Sequence, residues 1–184
     1  MPTDLVLRNA NVLDGTGSEA FVADVAIEGD RISAMGDVST AGSAREIDAT
    51  GKTLAPGFID THSHDDGAFL RHPGMEFKLA QGITTVVAGN CGFSAIPADP
   101  QTDAAAASGG ILAGLSDANF TDLSGYFDAV LERKPAINNM MLVGHNTVRT
   151  RVMGLDDRAP TRSALEAMRG AGDLALEQGA FGFS

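Results

Sequence analysis

Apolar runs that recur between helical stretches constrain the fold of residues 55–184 more than any other sequence feature. The runs are Phe58–Ile59, the largely β-branched Ile83–Ala88, and Asn138–Gly144, whose apolar part is Met140–Val143; a fourth begins at Ala180. Continuous apolar runs of this kind are typical of strands buried on both faces, as in a parallel sheet covered by helices. The pattern predicts an α/β fold that forms the first half of a (β/α)8 barrel.

The segments between the apolar runs carry helix signals. Met75–Gln81 is a short candidate helix closed by Gly82, and Pro135 stops a second helix near Lys134. Capping oxygens are available to the second helix from Thr121 or Asp122, and to a third, which closes at Gly179, from Thr161. A loop is expected at residues 97–100, and a flexible or loosely helical segment at residues 103–115.

Residues 1–54 have a different pattern, in which short alternating segments are separated by turn residues. Phe21–Glu28 alternates in this way before the turn at Gly29 and Asp30. Such segments predict an antiparallel β layer, and the change of pattern places a domain boundary near Leu54. The stretch GTGSEA superficially fits a dinucleotide fingerprint, but a strand follows where the phosphate would need a helix N-terminus.

Composition excludes several classes of partner. The 184-residue chain has 13 basic and 24 acidic side chains and a formal net charge of -11, without a basic stripe. Nucleic acids and anionic membranes both require clustered Lys and Arg, so neither is expected as a partner.

The single cysteine excludes an internal disulfide. The first residues carry neither a basic segment nor a long apolar run, and a cytoplasmic location is therefore predicted.

His62 and His64 are the first candidate metal ligands. They follow an apolar strand at i and i+2, so both side chains are expected on the same side, with Ser63 turned away. The alternative to metal binding is that one histidine is buried and hydrogen-bonded while the other is solvated. Neighbouring Asp60, Asp65 and Asp66 favour the metal interpretation, because carboxylates can coordinate directly or support the ligands.

Cys91 is the third candidate ligand, since it follows the second strand between Gly89 and Gly92. These glycines allow a sharp turn that would aim the thiol at the mouth of a barrel. A small buried hydrophobe and a catalytic nucleophile are the alternatives. His145 follows the third strand and is interpreted as a substrate contact or a support for the ligands; a further ligand and a histidine bonded to a nearby carbonyl are the alternatives. Arg149 is a weaker candidate, as a partner for a substrate carboxylate.

The segments APGFIDTHSH, QGITTVVAGNCGFS, LVGHNTVR and GAFGFS together resemble the N-terminal part of the amidohydrolase superfamily. Within it, the GNCG cysteine is most similar to the N-acyl-D-amino-acid deacylases. The resemblance implies a distorted barrel with a small β-sandwich assembled from both chain ends. It also implies that His62 and His64 are metal ligands and that Cys91 holds zinc, where many relatives use a carboxylated lysine.

The activity implied by the resemblance is hydrolysis of N-acyl-D-amino acids by a zinc-activated water, which yields a carboxylate and a D-amino acid. In that family two further histidine ligands and a general acid/base aspartate match positions beyond Ser184, so the 184-residue chain alone is expected to be inactive. A dihydroorotase- or hydantoinase-like enzyme is one alternative, although no lysine occurs between Lys78 and Lys134 to serve as its carboxylated ligand. A non-catalytic truncated fragment is the other.

Overall fold

Two sheets of different kinds account for the strands of the computed structural model, which describes residues 3–39, 45–97 and 120–184. The first sheet lies in the compact unit Met1–Pro56 and the second in the unit Gly57–Ser184. The segment expected at 103–115, and all of the predicted loop at 97–100 except Pro97, lie outside the described residues.

The first sheet has five strands in the order β3-β2-β1-β4, with β5 also paired to β1. They are β1 Leu5–Val12, β2 Phe21–Glu28, β3 Arg31–Gly36, β4 Arg45–Asp48 and β5 Thr53–Leu54. The β1-β2 and β2-β3 pairs are antiparallel, as expected, but β4 and β5 run parallel to β1. The prediction of a purely antiparallel layer was therefore wrong, because the chain returns to the free edge of β1 in the direction of β1 itself.

Arg8 links three strands of this sheet. Its guanidinium contacts Asp24 on β2 and Glu46 on β4, each at 2.6 Å, and also donates to the carbonyl of Val38. The second carboxylate oxygen of Asp24 accepts the N–H of Asn9 at 2.9 Å. The part-buried guanidinium of Arg8 thus lies between two carboxylates, one on each of the two strands that flank β1.

The second sheet consists of four parallel strands in chain order, and it confirms the predicted α/β fold. Its strands are β6 Phe58–Asp60, β7 Ile83–Ala88, β8 Asn138–Val143 and β9 Gly182–Phe183. Their carboxyl ends meet at one edge because all four run in the same direction.

Helices alternate with these strands. They are a 3-10 turn Asp65–Gly67, α1 Ala68–Arg71, α2 Glu76–Leu79, α3 Leu123–Glu132, α4 His145–Met153 and α5 Arg162–Glu177. Side chains cap α3 and α5 as expected: Asp122 accepts from the N–H of Gly125 at 2.9 Å, and Thr161 from that of Ala164 at 3.1 Å.

Helix α4 was not predicted from the sequence. We expected the third strand to end at His145, but it ends at Val143 and His145 begins the helix. Its sequence HNTVRTRVM is rich in β-branched residues, and Gly144 before it provides no capping side chain. The ordinary signals of a helix start are therefore missing.

The core of the second unit lies between the parallel strands and the helices that cover them. Fully buried side chains come from strands, helices and loops, among them Phe69, Met75, Val86, Tyr126 and Met141. Tyr126, the only tyrosine of the chain, donates from its hydroxyl to the carbonyl of Asp66 at 2.9 Å. Among the described residues, no helix combines the length and the apolar character needed to cross a bilayer.

We expect acid to loosen the first unit through Asp24. The N–H of Asn9, followed by the Arg8 guanidinium, holds the pKa of Asp24 below its ordinary value of 3.8, so folding favours the ionised form. This contribution to stability is complete above the ordinary pKa and is lost as the pH falls through the lower folded pKa. Hydrogen-exchange protection factors of β1 and β2 should decline over that range.

The matched variants for this test are Asp24→Asn and Asp30→Asn, since Asp30 has an 89% exposed side chain. Asp24→Asn should lower protection near neutral pH and reduce its dependence on acid, whereas Asp30→Asn should behave as the unchanged protein. The same acid dependence in the Asp24→Asn variant and the unchanged protein would contradict the assignment.

Candidate metal centre

The histidine pair lies immediately after β6, at the edge where the parallel strands end. Because the strand stops at Asp60, ordinary strand alternation does not extend through His62 and His64. The two rings nevertheless meet edge to face, with centroids 5.7 Å apart and an angle of 76° between their planes. Ser63 between them is buried, and its hydroxyl donates to the carboxylate of Asp65.

Cys91 lies in the loop that follows β7 and has a left-handed backbone with φ of 57°. A residue with a side chain adopts this conformation at a cost of about 1–2 kcal/mol, so surrounding contacts must hold it. Gly89 provides one reason for the tight turn, because it has a φ of 79° and a Cβ there would lie 2.1 Å from the carbonyl oxygen of Leu142. The thiol is exposed, and its Sγ lies 3.1 Å from Nε2 of His62.

The structure brings the three candidate ligands together. One donor atom from each of His62, His64 and Cys91 lies within 4.8 Å of the other two. Two imidazoles and a thiolate suit zinc, whose bonds to nitrogen and sulfur are about 2.0–2.1 Å and 2.3 Å long. In addition, Nδ1 of His64 is buried and has no hydrogen-bond partner among the residues that the structure describes. Burying a nitrogen without a hydrogen-bond partner costs free energy of folding. The environment of the His64 ring is therefore that expected of a histidine whose partner is a bound metal ion.

Asp66 joins the histidine segment to the cysteine loop. Its carboxylate is fully buried and accepts the N–H of Gly89 at 3.2 Å and that of Ala95 at 2.7 Å. These two residues lie on either side of Cys91, so one side chain holds both arms of the loop. Burial raises the pKa of Asp66, and the two N–H groups oppose that shift.

Lys78 joins the two sides of the histidine segment. Its ammonium lies 2.7 Å from Asp60 and 2.7 Å from Asp65, the residues that flank the pair. The hydrogen bond from Lys78 lowers the pKa of Asp60. Burial alone would lower the pKa of Lys78, but its bonds to both carboxylates leave that pKa above the ordinary value.

The ends of β8 and β9 also hold the cysteine loop. The hydroxyl of Ser184 donates to the carbonyl of Gly89 at 2.6 Å and accepts the N–H of Gly92 at 3.1 Å. On the other side, the N–H of Gly144 donates to Oγ of Ser94 at 2.9 Å. The loop is thus held by groups that lie about 50 to 95 positions away along the chain.

His145 and Arg149 lie on α4 and do not belong to the three-residue cluster. His145 is exposed, and its ring packs edge to face against Phe183 at a centroid distance of 6.3 Å. Arg149 donates to the carbonyls of Asp156 and Arg158, at 2.9 and 3.0 Å. Its side chain also lines a cleft of about 350 Å³ together with Phe93, which follows the cysteine loop.

Sequence reasoning predicted no role for Lys78 or Ser184, and it named Asp60, Asp65 and Asp66 without predicting their partners. Asp65 and Asp66 were expected to coordinate a metal or to support the ligands; the structure shows Asp65 paired with Lys78 and Asp66 with backbone N–H groups. A signal for Lys78 was present, since it is the only lysine between Lys52 and Lys134 and lies in the predicted helix Met75–Gln81, which follows the histidines. No comparable signal marks Ser184, because its contact is made across the sheet.

Comparison with known proteins identifies the family. Residues 45–184 match the Amidohydrolase family, and the chain belongs to that family. Among curated proteins, it is 46% identical to N-acyl-D-glutamate deacylase of Alcaligenes xylosoxydans xylosoxydans over 182 residues, which is 98% of this chain and 36% of that protein. It is 39% identical to D-aminoacylase of the same organism over 186 residues, with 100% of this chain and 37% of that protein covered.

A solved structure also shows similarity to the N-acyl-D-amino-acid deacylases. N-acyl-D-glutamate deacylase from Bordetella bronchiseptica, complexed with zinc and a phosphonate inhibitor, superposes with a TM-score of 0.88 at 41% identity and covers 100% of this chain and 38% of that one. The predicted resemblance to the N-acyl-D-amino-acid deacylases is therefore confirmed. The chain spans little more than a third of the length of these relatives.

We expect Gly144→Ala to disturb the cysteine loop. A Cβ at Gly144 would lie 2.3 Å from the carbonyl oxygen of Gly92, so the backbone of the loop would have to move. Overpacking of this kind costs about 1–3 kcal/mol of the free energy of unfolding. Urea unfolding can be followed by the fluorescence of Tyr126, because the chain has no tryptophan.

Gly170→Ala is the matched control for this substitution. Gly170 lies within α5, and a Cβ there meets nothing within 4 Å. Alanine should therefore stabilise the protein by about 0.5–1 kcal/mol through its better helix propensity. Equal effects of the two substitutions would show that the contact between Gly144 and the loop is not tight.

Proposed function

We propose that this amidohydrolase hydrolyses the amide bond of N-acyl-D-amino acids and that His62, His64 and Cys91 hold its zinc ion. The convergence of these three donor atoms within 4.8 Å is the observation that carries the proposal. The deacylase relatives support the substrate class, and the zinc complex of the Bordetella bronchiseptica enzyme supports the metal. We further propose that residues 55–184 form part of a (β/α)8 barrel and residues 1–54 part of a small β-sandwich.

The zinc ion and the three ligand residues would have different roles in the reaction. When bound, zinc would polarise the amide carbonyl and lower the pKa of a water molecule. His62 and His64 supply neutral nitrogen donors, while Cys91 supplies a thiolate that offsets part of the cation charge. Hydrolysis adds one water across the C–N bond, so the acyl group leaves as a carboxylate and the D-amino acid is freed.

We assign substrate contacts to α4. His145 is exposed directly after the end of β8, where it can donate to or accept from a bound acyl-amino acid. Arg149 lines the cleft beside Phe93, and its remaining N–H groups can pair with the substrate carboxylate. The partner is thus a small acidic molecule. We also propose a cytoplasmic location, which is supported by a single free cysteine.

Metal binding is the direct test of the site. Cobalt(II), a spectroscopic substitute for zinc, should produce a thiolate-to-metal charge-transfer band that Cys91→Ser removes. His62→Ala and His64→Ala should each weaken zinc binding about 100-fold or more, because removing a ligand exceeds the 10–100-fold effect of removing a supporting group. Competition titration against a chelator measures this loss.

The control for the ligand variants is His72→Ala. His72 is exposed in the loop before α2 and does not belong to the cluster, so this variant should bind zinc as tightly as the unchanged protein. A similar loss in His72→Ala and His62→Ala, or a charge-transfer band that survives in Cys91→Ser, would exclude the proposed ligand set.

Activity provides an independent test. Protein expressed from the complete reading frame should release a free amino acid from N-acyl-D-amino acids, and much more slowly from the L-enantiomers. A chelator should abolish this hydrolysis and added zinc should restore it. Equal activity of chelated and zinc-loaded protein would contradict the mechanism, and hydrolysis of a hydantoin but not of acyl-D-amino acids would contradict the substrate class.

A further inference from the structure

We propose that Lys78 is a positioning residue for the histidine ligands and that it sets the zinc affinity of the site. This inference rests on the proposed zinc site and adds a residue to it that does not touch the metal. The structural basis is a clamp, defined here as Lys78 together with Asp60 and Asp65. The clamp encloses the segment 61–64, which contains both histidines.

The clamp acts on the backbone of the histidine segment from both ends. On the N-terminal side, one oxygen of Asp60 bonds to Lys78 at 2.7 Å and the other accepts the N–H of His62 at 3.2 Å. On the C-terminal side, Lys78 pairs with Asp65 at 2.7 Å. Asp65 also accepts a hydrogen bond from the hydroxyl of Ser63, and that hydroxyl accepts the N–H of Asp65 at 3.0 Å.

The histidine segment lies outside regular secondary structure. Apart from the clamp, it is held at Ser63, whose N–H donates to the carbonyl of Val87 at 3.2 Å and whose carbonyl accepts from the side-chain amide of Asn90 at 3.3 Å. The strand ends at Asp60 and the 3-10 turn begins at Asp65, so the histidines lie in irregular backbone between them. The three side chains of the clamp are only 15–24% exposed, and water therefore screens their interactions weakly. A part-buried cation that bridges two carboxylates is a geometric constraint on the residues between them.

Removing the charge of Lys78 distinguishes a positioning role of this residue from a purely electrostatic effect on the metal ion. A positive charge beside a cation site opposes binding of the cation, so removing it should tighten binding if Coulomb forces alone acted. Removing a group that orients ligands weakens metal binding, typically 10–100-fold. The two explanations predict opposite signs for the same substitution.

We expect Lys78→Met to weaken zinc binding by about 10–100-fold, as measured by competition with a chelator. Lys78→Arg should recover most of the loss, because its guanidinium can also bridge two carboxylates. With cobalt(II) at saturation, Lys78→Met should keep the thiolate charge-transfer band but change the d–d spectrum, since the clamp acts on the histidines and not on Cys91.

Two further variants complete the test. Lys52→Met removes an exposed lysine in the first unit and should leave zinc affinity unchanged. Lys78→Gln removes the positive charge but keeps a polar side chain that can donate to one carboxylate. It should produce a smaller loss than Lys78→Met where electrostatics alone still predicts tighter binding, so it keeps the test available if the methionine variant does not fold. Tyr126 fluorescence reports whether each variant is folded when its affinity is measured.

The outcomes for the site and the clamp are distinct. If the unchanged chain gives no cobalt charge-transfer band, the proposed zinc site fails and the clamp has no ligands to position. If that band forms but folded Lys78→Met or Lys78→Gln binds zinc as tightly as the unchanged chain, or more tightly, the clamp inference alone is overturned. Equal losses in Lys78→Met and Lys78→Arg would likewise overturn it.

Discussion

The buried carboxylate of Asp66 is the interaction on which the arrangement at the strand ends depends. It lies two positions after His64, yet its bonds are made to Gly89 and Ala95, on both sides of Cys91. A fully buried carboxylate that lost these N–H donors would be left with an uncompensated desolvation cost. The histidine segment and the cysteine loop are therefore fixed to each other at the backbone, before any metal ligand is considered.

Parallel topology makes this link possible. Strands β6 and β7 are neighbours with the same direction, so the segments after them emerge side by side. The left-handed conformation of Cys91 is local and strained, but bonds from Ser184 and Gly144 brace the same loop from the neighbouring strand ends. The placement of the thiol is thus a property of the whole sheet edge rather than of the GNCG sequence.

Sequence predicted the parts of this structure that depend on local pattern. Ile83–Ala88 is β-branched from Ile83 to Val87, and it forms β7 with the predicted bounds; Thr161 caps α5 through its own hydroxyl. Prediction failed where tertiary contacts decide. The parallel pairing of β4 with β1 leaves no pattern in β4, and α4 begins at His145 without a capping side chain because the edge of the sheet holds its start.

In the candidate site, too, some residues could be predicted from the sequence and others could not. His62, His64 and Cys91 could be chosen from their residue types and from their positions after strands. Lys78 and Ser184 could not, and the partners of Asp66 could not be predicted either, because these three residues act through contacts that are known only once the chain is folded. Since these contacts join residues 60 to 184, the convergence of the donor atoms depends on the folded sheet. Metal affinity in such a site is coupled to folding, and a bound ion would stabilise the same backbone links that create its site.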